Sequence, residues 1–275
     1  MNKIILITGS TDGIGKLTAM KLAGNGHTVY VHGRNKAKLE AVISEIKEAS
    51  NNQNVKGFLA DFSDLDAVSK MAEQVKNEVP AIDVMINNAG VYNSKTPKNK
   101  DGLDIRFVVN YLAPYVLTHA LLPKLKKAVA PRIINLSSAA QATVDEDVIR
   151  GKQQVSDNAA YAQSKLALTM WSFHLAQAEP NIVVIAVNPG SLLNTKMVQE
   201  AFGEYWSPTK KGVDILYDLA LLNTYSNDSG KYFDNDKGNP KGVFGPAHAD
   251  ASDEGKITTM LDLTENILER IQTSK

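Results

Sequence analysis

The sequence predicts an α/β fold: a doubly wound parallel sheet, in a single domain, with helices on both faces. Three observations support this prediction. Apolar, β-branched runs alternate with longer amphipathic segments, the first run ends in a glycine-rich turn, and no internal repeat interrupts the alternation. Parallel strands are covered on both faces, so they are nearly continuously apolar. A regular strand–helix–strand order is typical of such a sheet.

Six apolar runs are interpreted as strands, and five longer segments between them as helices. The predicted strands are Ile4–Thr8, Thr28–His32, Val55–Ala60, Ile82–Ile86, Arg132–Leu136 and Ile182–Val187. The predicted helices are Ile14–Ala23, Lys36–Ala49, Leu65–Glu78, a long one around Leu103–Lys127, and Ala159–Ala178.

From about residue 225 the chain becomes a loop-rich C-terminal extension. Only Lys231–Phe233 and Val243–Phe244 resemble strands there, and a helical pattern follows at Ile257–Ile271. We expect a last short strand, an irregular surface loop and a docking helix, all belonging to one domain of residues 1–275. A disordered linker is the alternative for the loop-rich part.

Composition excludes several classes of site and partner. The 30 basic and 30 acidic residues cancel, so net charge gives no reason to expect nucleic acid or an anionic membrane. The absence of cysteine excludes disulfides and thiolate chemistry, and the five histidines show no spacing suited to a metal. No run approaches the roughly 20 apolar residues of a membrane span, and the N-terminus lacks a secretory apolar region. We therefore expect a cytoplasmic protein without a metal.

The first predicted strand runs directly into the turn TGSTDGIG, Thr8–Gly15. Glycines let the backbone approach a pyrophosphate closely, and the N–H groups at a helix start favour an anion. The alternative is a tight turn that merely needs glycine. Its place after a strand and before a helix favours nucleotide binding. The candidate residues are Gly9, Ser10, Thr11, Asp12, Gly13, Ile14 and Gly15.

The spacing G-x-x-x-G-x-G is one of four motifs that occur in the expected order. The others are NNAG at Asn87–Gly90, the pair Tyr161 and Lys165 in Tyr-x-x-x-Lys, and NPG at Asn188–Gly190 with Thr195 downstream. Together they resemble the short-chain dehydrogenase/reductase family, and most closely its single-domain branch of retinol-dehydrogenase-like enzymes and carbonyl reductases. The resemblance implies a Rossmann fold and hydride transfer between a nicotinamide dinucleotide and a carbonyl or alcohol substrate.

Tyr161 and Lys165 lie one helical turn apart, so both side chains share a face. The alternative is a core tyrosine beside a lysine that extends to water. A free phenol has a pKa of about 10, and lowering it to ~7 needs roughly 4 kcal/mol. An ammonium about 4 Å away supplies an attraction of about that size at an effective dielectric near 20. Desolvation opposes it, so we expect that the positive charge of an oxidised nicotinamide contributes as well.

Two further residues complete the catalytic set that the resemblance implies. Ser138 aligns with the serine that steadies the substrate oxygen, in preference to its neighbour Ser137, although either hydroxyl could instead cap a helix. Asn110 matches a helix asparagine that holds a water near the lysine in a proton relay. Asparagine is unfavourable within a helix, which favours such a special role, and a satisfied core amide is the alternative. The predicted catalytic residues are Asn110, Ser138, Tyr161 and Lys165.

The segment after the second strand favours NADP(H) over NAD(H). Gly33 stands where NAD-specific members carry an acidic residue, and the adjacent Arg34 can bind a 2′-phosphate with its guanidinium fork. A plain surface arginine is the alternative. Asp12 departs from the basic residue that some NADP-dependent relatives carry in the glycine loop. Lys16 and His32 are weaker candidates for charge near the ribose phosphate.

The resemblance also implies contacts with the dinucleotide at the ends of the third, fourth and sixth strands and on the catalytic helix. These residues are Asp61 and Phe62 at the adenine, Asn88, Ala89 and Gly90 at the ribose and pyrophosphate, Pro189, Gly190 and Thr195 toward the nicotinamide, and Tyr161 and Lys165.

Two segments concern the substrate. Ser191–Pro208 has an apolar face and is interpreted either as a lid for an apolar carbonyl or alcohol or as a helix packed on the domain; its apolar residues are Leu192, Leu193, Met197, Val198, Phe202, Tyr205 and Trp206. Ala140–Asn158, between Ser138 and Tyr161, is interpreted either as a flap or as a surface insertion. A nucleotide-sugar epimerase or dehydratase and a non-catalytic NADP(H)-sensing or scaffold protein remain alternatives, and the sequence leaves both a monomer and a homo-oligomer open.

Overall fold

The computed structural model describes residues 2–238 and 241–273, which form one eight-stranded sheet flanked by helices. The strand order is β3-β2-β1-β4-β5-β6-β7-β8, and each neighbouring pair is parallel except β7 with β8. The strands are β1 Ile4–Ile7, β2 Thr28–Gly33, β3 Val55–Leu59, β4 Val84–Asn87, β5 Arg132–Leu136, β6 Val183–Asn188, β7 Lys231–Asp234 and β8 Val243–Gly245.

Helices cover both faces of this sheet. They are α1 Gly13–Gly24, α2 Lys36–Ser50, α3 Leu65–Glu78, α4 Ile105–Phe107, α5 Ala113–Leu125, α6 Glu146–Ile149, α7 Asp157–Ala178, α8 Lys196–Phe202, α9 Thr209–Leu221 and α10 Glu254–Thr273. A π-helical turn, Val108–Leu112, joins α4 to α5 without a break.

Alternating strand side chains build two apolar cores. On β1, Leu6 faces the core beneath α3, α5, α7 and α10, whereas Ile5 and Ile7 face the core beneath α1, α2 and α9. All three side chains are buried. Successive strand residues point to opposite faces, so burial on both sides requires a continuously apolar strand.

The predicted fold class is confirmed, and all six predicted strands occur with ends shifted by a few residues. The C-terminal extension is more regular than expected, because it adds two strands to the sheet rather than one. β7 pairs with β6 in parallel and β8 pairs with β7 in antiparallel. The predicted docking helix begins at Glu254, three residues before the predicted start at Ile257.

One helical stretch in the described residues, Ile105–Leu125, is long and apolar enough to cross a membrane by length and composition. In this fold, 72% of an apolar 18-residue stretch within this segment is buried inside the protein. This burial is typical of the core helix of a globular domain, so the stretch is only weak support for a membrane span.

The order of the strands determines where a ligand cleft can form. β1 lies between β2 and β4, so the connections from its two sides lead to opposite faces of the sheet. The loops after β1 and β4 therefore lead to helices on opposite faces of the sheet, and a crevice is expected at the carboxyl ends of these strands.

Arg106 joins three segments that surround this crevice. Its Nε and Nη2 donate to the Asp104 carboxylate at 3.0 and 2.7 Å, and Nη1 lies 2.8 Å from Asp157 at the start of α7. Nη1 also donates to the carbonyl oxygen of Tyr92, in the loop after β4, at 3.3 Å. The arginine is only 1% exposed. The charge is therefore held by two carboxylates and ties α4 to α7 and to that loop.

We expect Arg106→Ala to lower the free energy of unfolding by about 3–5 kcal/mol, because it leaves the Asp104 carboxylate buried without its partner. Arg106→Lys keeps the positive charge but lacks the two-pronged guanidinium, so it should lower the free energy of unfolding by less than Arg106→Ala does. Urea unfolding followed by circular dichroism measures both. Glu40→Gln, which breaks an exposed pair with Lys36, is the matched control and should change stability by less than about 0.5 kcal/mol. A loss below about 1 kcal/mol for Arg106→Ala would contradict the structural role of the pair.

Candidate active site

A cleft of about 1060 Å³ opens at the carboxyl ends of the strands. It is lined by the glycine loop, by the segments that follow β2, β3, β4 and β6, and by the two candidate residues on α7. The sequence-predicted residues that line it are Gly9, Thr11, Asp12, Gly13, Ile14, Gly15, Arg34, Asp61, Phe62, Asn88, Ala89, Gly90, Tyr161, Lys165, Pro189, Gly190 and Thr195.

The glycine loop packs directly against the segment after β4. A Cβ on Gly9 would lie 2.6 Å from Cα of Ala89, and a Cβ on Gly15 would lie 2.4 Å from Nδ2 of Asn88. The Asn88 amide donates to the carbonyl oxygens of Thr8 and Gly9 at 2.9 and 2.8 Å. Glycine is therefore required at position 9 by the Ala89 backbone, and at position 15 by the Asn88 amide together with the Gly9 carbonyl oxygen, which would lie 2.7 Å from a Cβ.

Ser10 is the predicted loop residue that does not line the cleft. Its side chain is fully buried, donates to the carbonyl oxygen of Ile7 at 2.8 Å and accepts from the backbone N–H of His32 at 2.9 Å. The Ser10 hydroxyl therefore joins the ends of β1 and β2 and is not directed at a ligand in this structure.

The Asp12 carboxylate in the glycine loop has a cationic partner that the sequence analysis missed. It accepts from the N–H of Gly13 at 2.8 Å and lies 2.6 Å from Nζ of Lys38 on α2. The hydrogen bond from Lys38 lowers the pKa of Asp12. Lys38 lines the cleft together with the exposed Arg34. This end of the cleft therefore carries two basic groups and one compensated acid.

His32 lines the cleft, but its side chain is buried and both of its ring nitrogens are hydrogen-bonded within the protein. Its Nδ1 accepts from the N–H of Gly9 at 3.0 Å, its Nε2 donates to the carbonyl oxygen of Ala60 at 3.0 Å, and its ring stacks on Phe62 at 4.1 Å. Burial lowers the pKa of His32 to about 4, so the imidazole is neutral. The second suggested cation, Lys16, lies 2.7 Å from Glu45 and is not among the lining residues. The surroundings of these two residues do not favour a role for either as a cation near the ribose phosphate.

Tyr161 and Lys165 reach the inner part of the cleft from one face of α7. Nζ of Lys165 lies 5.6 Å from the centroid of the Tyr161 ring and donates to the carbonyl oxygen of Leu136 at 2.7 Å. The lysine is 4% exposed, and burial lowers its pKa to about 8. Burial also raises the pKa of Tyr161, while a hydrogen bond with Ser138 opposes that rise. The direction is opposite to the lowering expected from the sequence, because burial is the largest influence on the phenol.

The two adjacent serines at the end of β5 have different surroundings. The Ser137 hydroxyl is buried, 3.2 Å from the carbonyl oxygen of Lys165 and 2.6 Å from Oγ1 of Thr169. The Ser138 hydroxyl is partly exposed and hydrogen-bonds with the Tyr161 phenol. Ser138 is therefore the serine beside the candidate acid, whereas Ser137 fastens β5 to α7 and is the one of the two that is among the residues lining the cleft.

Asn110 lies in the π-helical turn, and its side-chain amide is fully engaged. Oδ1 accepts from the N–H of Val91 at 2.8 Å, and Nδ2 donates to the carbonyl oxygen of Val91 at 3.1 Å and to Oγ of Ser164 at 3.0 Å. The side chain does not line the cleft. A Cβ on Gly90 would lie 3.4 Å from Oδ1 of Asn110 and 3.6 Å from Nζ of Lys165. The amide thus holds the loop after β4 close to the lysine.

The segment after β6 borders the cleft from outside. Leu193, Thr195, Met197 and Val198 line the cleft there, and Thr195 caps α8 by accepting from the N–H of Val198 at 3.4 Å. Beyond α8, Tyr205 and Trp206 are 51% and 69% exposed. The predicted apolar residue Phe202 has a side chain outside the described part of the structure. The apolar face is thus shared between the cleft and solvent.

No residue of the Ala140–Asn158 segment lines the cleft itself. Only its C-terminal end approaches the cleft, where Oδ1 of Asn158 accepts from the hydroxyl of the lining residue Tyr92 at 3.3 Å. Thr143, Val144 and Glu146 instead line a separate cavity of about 400 Å³ next to α10. The backbone N–H of Asp145 donates to Oε1 of Gln163 on α7 at 3.0 Å. This placement favours the surface-insertion interpretation over the flap.

Comparison with known proteins agrees with this geometry. The family model for short chain dehydrogenases matches residues 3–206. Polyprenol dehydrogenase of Homo sapiens is 34% identical over 73% of this chain and 64% of its own length. Retinol dehydrogenase 12 of Mus musculus is 32% identical over 84% of this chain and 77% of its own.

A solved structure supports the same assignment. The crystal structure of a short chain dehydrogenase from Escherichia coli complexed with NADPH has a TM-score of 0.71 and 29% identity. The match covers 85% of this chain and 97% of the Escherichia coli chain. The chain belongs to the short-chain dehydrogenase family of oxidoreductases.

Proposed function

We propose that this oxidoreductase uses NADP(H) to interconvert the carbonyl and alcohol forms of an apolar small molecule, and that it does so in the cytoplasm. One observation carries the proposal: the phenol of Tyr161, the hydroxyl of Ser138 and the ammonium of Lys165 lie close together at a cleft that the glycine loop also lines.

The residues along the cleft fit a dinucleotide phosphate. Gly13 and Gly15, at the start of α1, carry no side chain, so the backbone there can approach a pyrophosphate closely. The guanidinium of Arg34 has no hydrogen bond or ion pair in the described residues and is free to bind a 2′-phosphate. Lys38, paired with Asp12, adds a second positive charge nearby. The NADPH complex of the related Escherichia coli protein supports this choice of cofactor.

The candidate catalytic residues suit carbonyl reduction. When bound, the nicotinamide supplies or accepts the hydride. Tyr161, with its raised pKa, holds a proton at neutral pH and can give it to the substrate oxygen. The hydrogen bond between Ser138 and the Tyr161 phenol supports Ser138 as a second donor to the same oxygen. Oxidation of the alcohol needs the phenolate, and Lys165, with a pKa of about 8, is mostly charged at pH 7 and favours that anion.

The substrate side of the cleft supports an apolar compound. Leu193, Met197 and Val198 line it from the segment after β6, and Trp206 extends an apolar surface beyond them. Two relatives of this chain are named for polyprenol and retinol, both of which are apolar alcohols. We therefore propose that this segment acts as a lid over an apolar carbonyl or alcohol.

Tyr161→Phe should lower kcat/KM for NADPH-dependent carbonyl reduction by about 10²–10⁴-fold, since it removes the proton donor and keeps the ring. The Kd for NADPH should stay within about threefold. NADPH oxidation against a panel of aldehydes, ketones, quinones, retinoids and steroids measures the loss, with Tyr225→Phe as the matched control. Unchanged turnover in Tyr161→Phe would refute the role. Tight NADPH binding by the unaltered protein without turnover of any panel member would favour the non-catalytic alternative.

Arg34→Gln should raise the KM for NADPH about 10–100-fold and leave that for NADH unchanged, because a charge-assisted hydrogen bond to the 2′-phosphate is lost. Initial rates with each cofactor measure the change. Lys36→Gln, two residues away and outside the cleft lining, is the control. An equal effect on both cofactors, or a preference of the unaltered protein for NADH, would contradict the choice of NADP(H).

Trp206→Ala should lower kcat/KM for a long-chain aldehyde about 5–10-fold relative to a short one, because contact area of the lid with the chain is lost. The KM for NADPH should not change. Decanal and propanal compared at saturating NADPH provide the measurement, and Val129→Ala, at a fully exposed site, is the control. If both aldehydes lose equally, or only thermal stability falls, the segment is a packed helix and no lid.

A further inference from the structure

The turn after β6 lines the cleft, yet most of its polar groups are held from the C-terminal extension. Pro189 and Gly190 are lining residues, and Gly190 has a φ of +122°, which favours glycine. Within the turn itself, the N–H of Gly190 donates to Oδ1 of Asn188 at 3.2 Å. The remaining contacts come from the residues that end β7 and follow it.

Asp236 holds the far side of the turn. Its carboxylate accepts from the backbone N–H of Ser191 at 2.9 and 3.1 Å and from the Ser191 hydroxyl at 2.5 Å. It also accepts from Nδ2 of Asn188 at 2.8 Å. The nearest cation is Lys211, with Nζ 3.9 Å away. One carboxylate therefore fixes both ends of the four-residue turn.

Asn235 holds the near side. Its Nδ2 donates to the carbonyl oxygen of Pro189 at 2.8 Å and to that of Lys211, on α9, at 3.1 Å. Its backbone N–H donates to the carbonyl oxygen of Asn188 at 3.1 Å. Asn235 is 3% exposed. The carbonyl groups of two consecutive turn residues are thus oriented by this one asparagine.

These contacts do more than close a loop, because they act on residues that border the cleft. Because Gly190 has no side chain, the turn has few contacts of its own that fix its backbone. The hydrogen bonds from Asn235 and Asp236 therefore determine its conformation. The side chain of Asp236 is 30% exposed, and its removal therefore opens no cavity in the core. Removal of the Asp236 side chain should therefore change how a ligand binds more than it changes the stability of the fold.

We propose that Asn235 and Asp236 are positioning residues that set the cleft wall against which the nicotinamide half of the cofactor lies. The inference rests on the proposed dinucleotide function. It assigns to the C-terminal extension a part in cofactor binding and makes two residues beyond the Ser191–Pro208 segment necessary for productive binding.

The test compares NADPH with 2′,5′-ADP, which lacks the nicotinamide. For Asp236→Ala we expect NADPH to bind at least about tenfold more weakly and kcat to fall about tenfold, with the Kd for 2′,5′-ADP unchanged. Asp236→Asn keeps one acceptor for the Ser191 N–H and should recover part of both losses. Asn235→Ala should behave like Asp236→Ala. Calorimetry and initial rates measure these changes.

Asp228→Asn is the control, because Asp228 belongs to the same extension and pairs with Lys231 rather than with the turn. It should alter neither ligand. Equal weakening of NADPH and 2′,5′-ADP in Asp236→Ala, or no change in either, would overturn the positioning role. If the unaltered protein binds neither ligand, the proposed cofactor is wrong, and that outcome is distinct from a failure confined to the variants.

Discussion

The close backbone contact between the glycine loop and the segment after β4 is the constraint on which the rest of the site depends. Gly9 and Gly15 leave no room for a Cβ, and Asn88 ties the two segments with hydrogen bonds to the end of β1. The contact lies where the chain changes direction across the sheet, so it determines both the depth of the cleft and the line along which a ligand can extend.

Burial shapes the chemical end of the cleft in two opposite ways. It raises the pKa of Tyr161 and lowers that of Lys165 to about 8, since a dry surrounding disfavours charge on either group. The neutral phenol is thus stable by default, and the anion requires added positive charge. Asn110 and Arg106 hold the loop after β4 and the start of α7 around these two side chains.

Local patterns predicted much of this molecule, and long-range contacts account for the remainder. The apolar runs were sufficient to predict the strands. Residue spacing was sufficient to predict that the glycine loop joins a strand to a helix and that Tyr161 and Lys165 share one face of a helix. The partner of Asp12 lies 26 positions away at Lys38, and the restraint on the turn after β6 comes from Asp236, 45 positions beyond Ser191. No periodicity encodes such pairs. The direction of the Tyr161 pKa shift was likewise inaccessible, because it depends on burial.

The histidine beneath the glycine loop has a consequence for acid tolerance. Nδ1 of His32 can accept a hydrogen bond from the Gly9 N–H only while the ring is neutral. Protonation would turn Nδ1 into a donor, which would then face the N–H donor of Gly9. An ordinary histidine, with a pKa near 6.5, would begin to be protonated at mildly acidic pH. Packed against Phe62 with a pKa of about 4, His32 keeps its accepting form there. The shape of the loop is thereby insulated from moderate acidification.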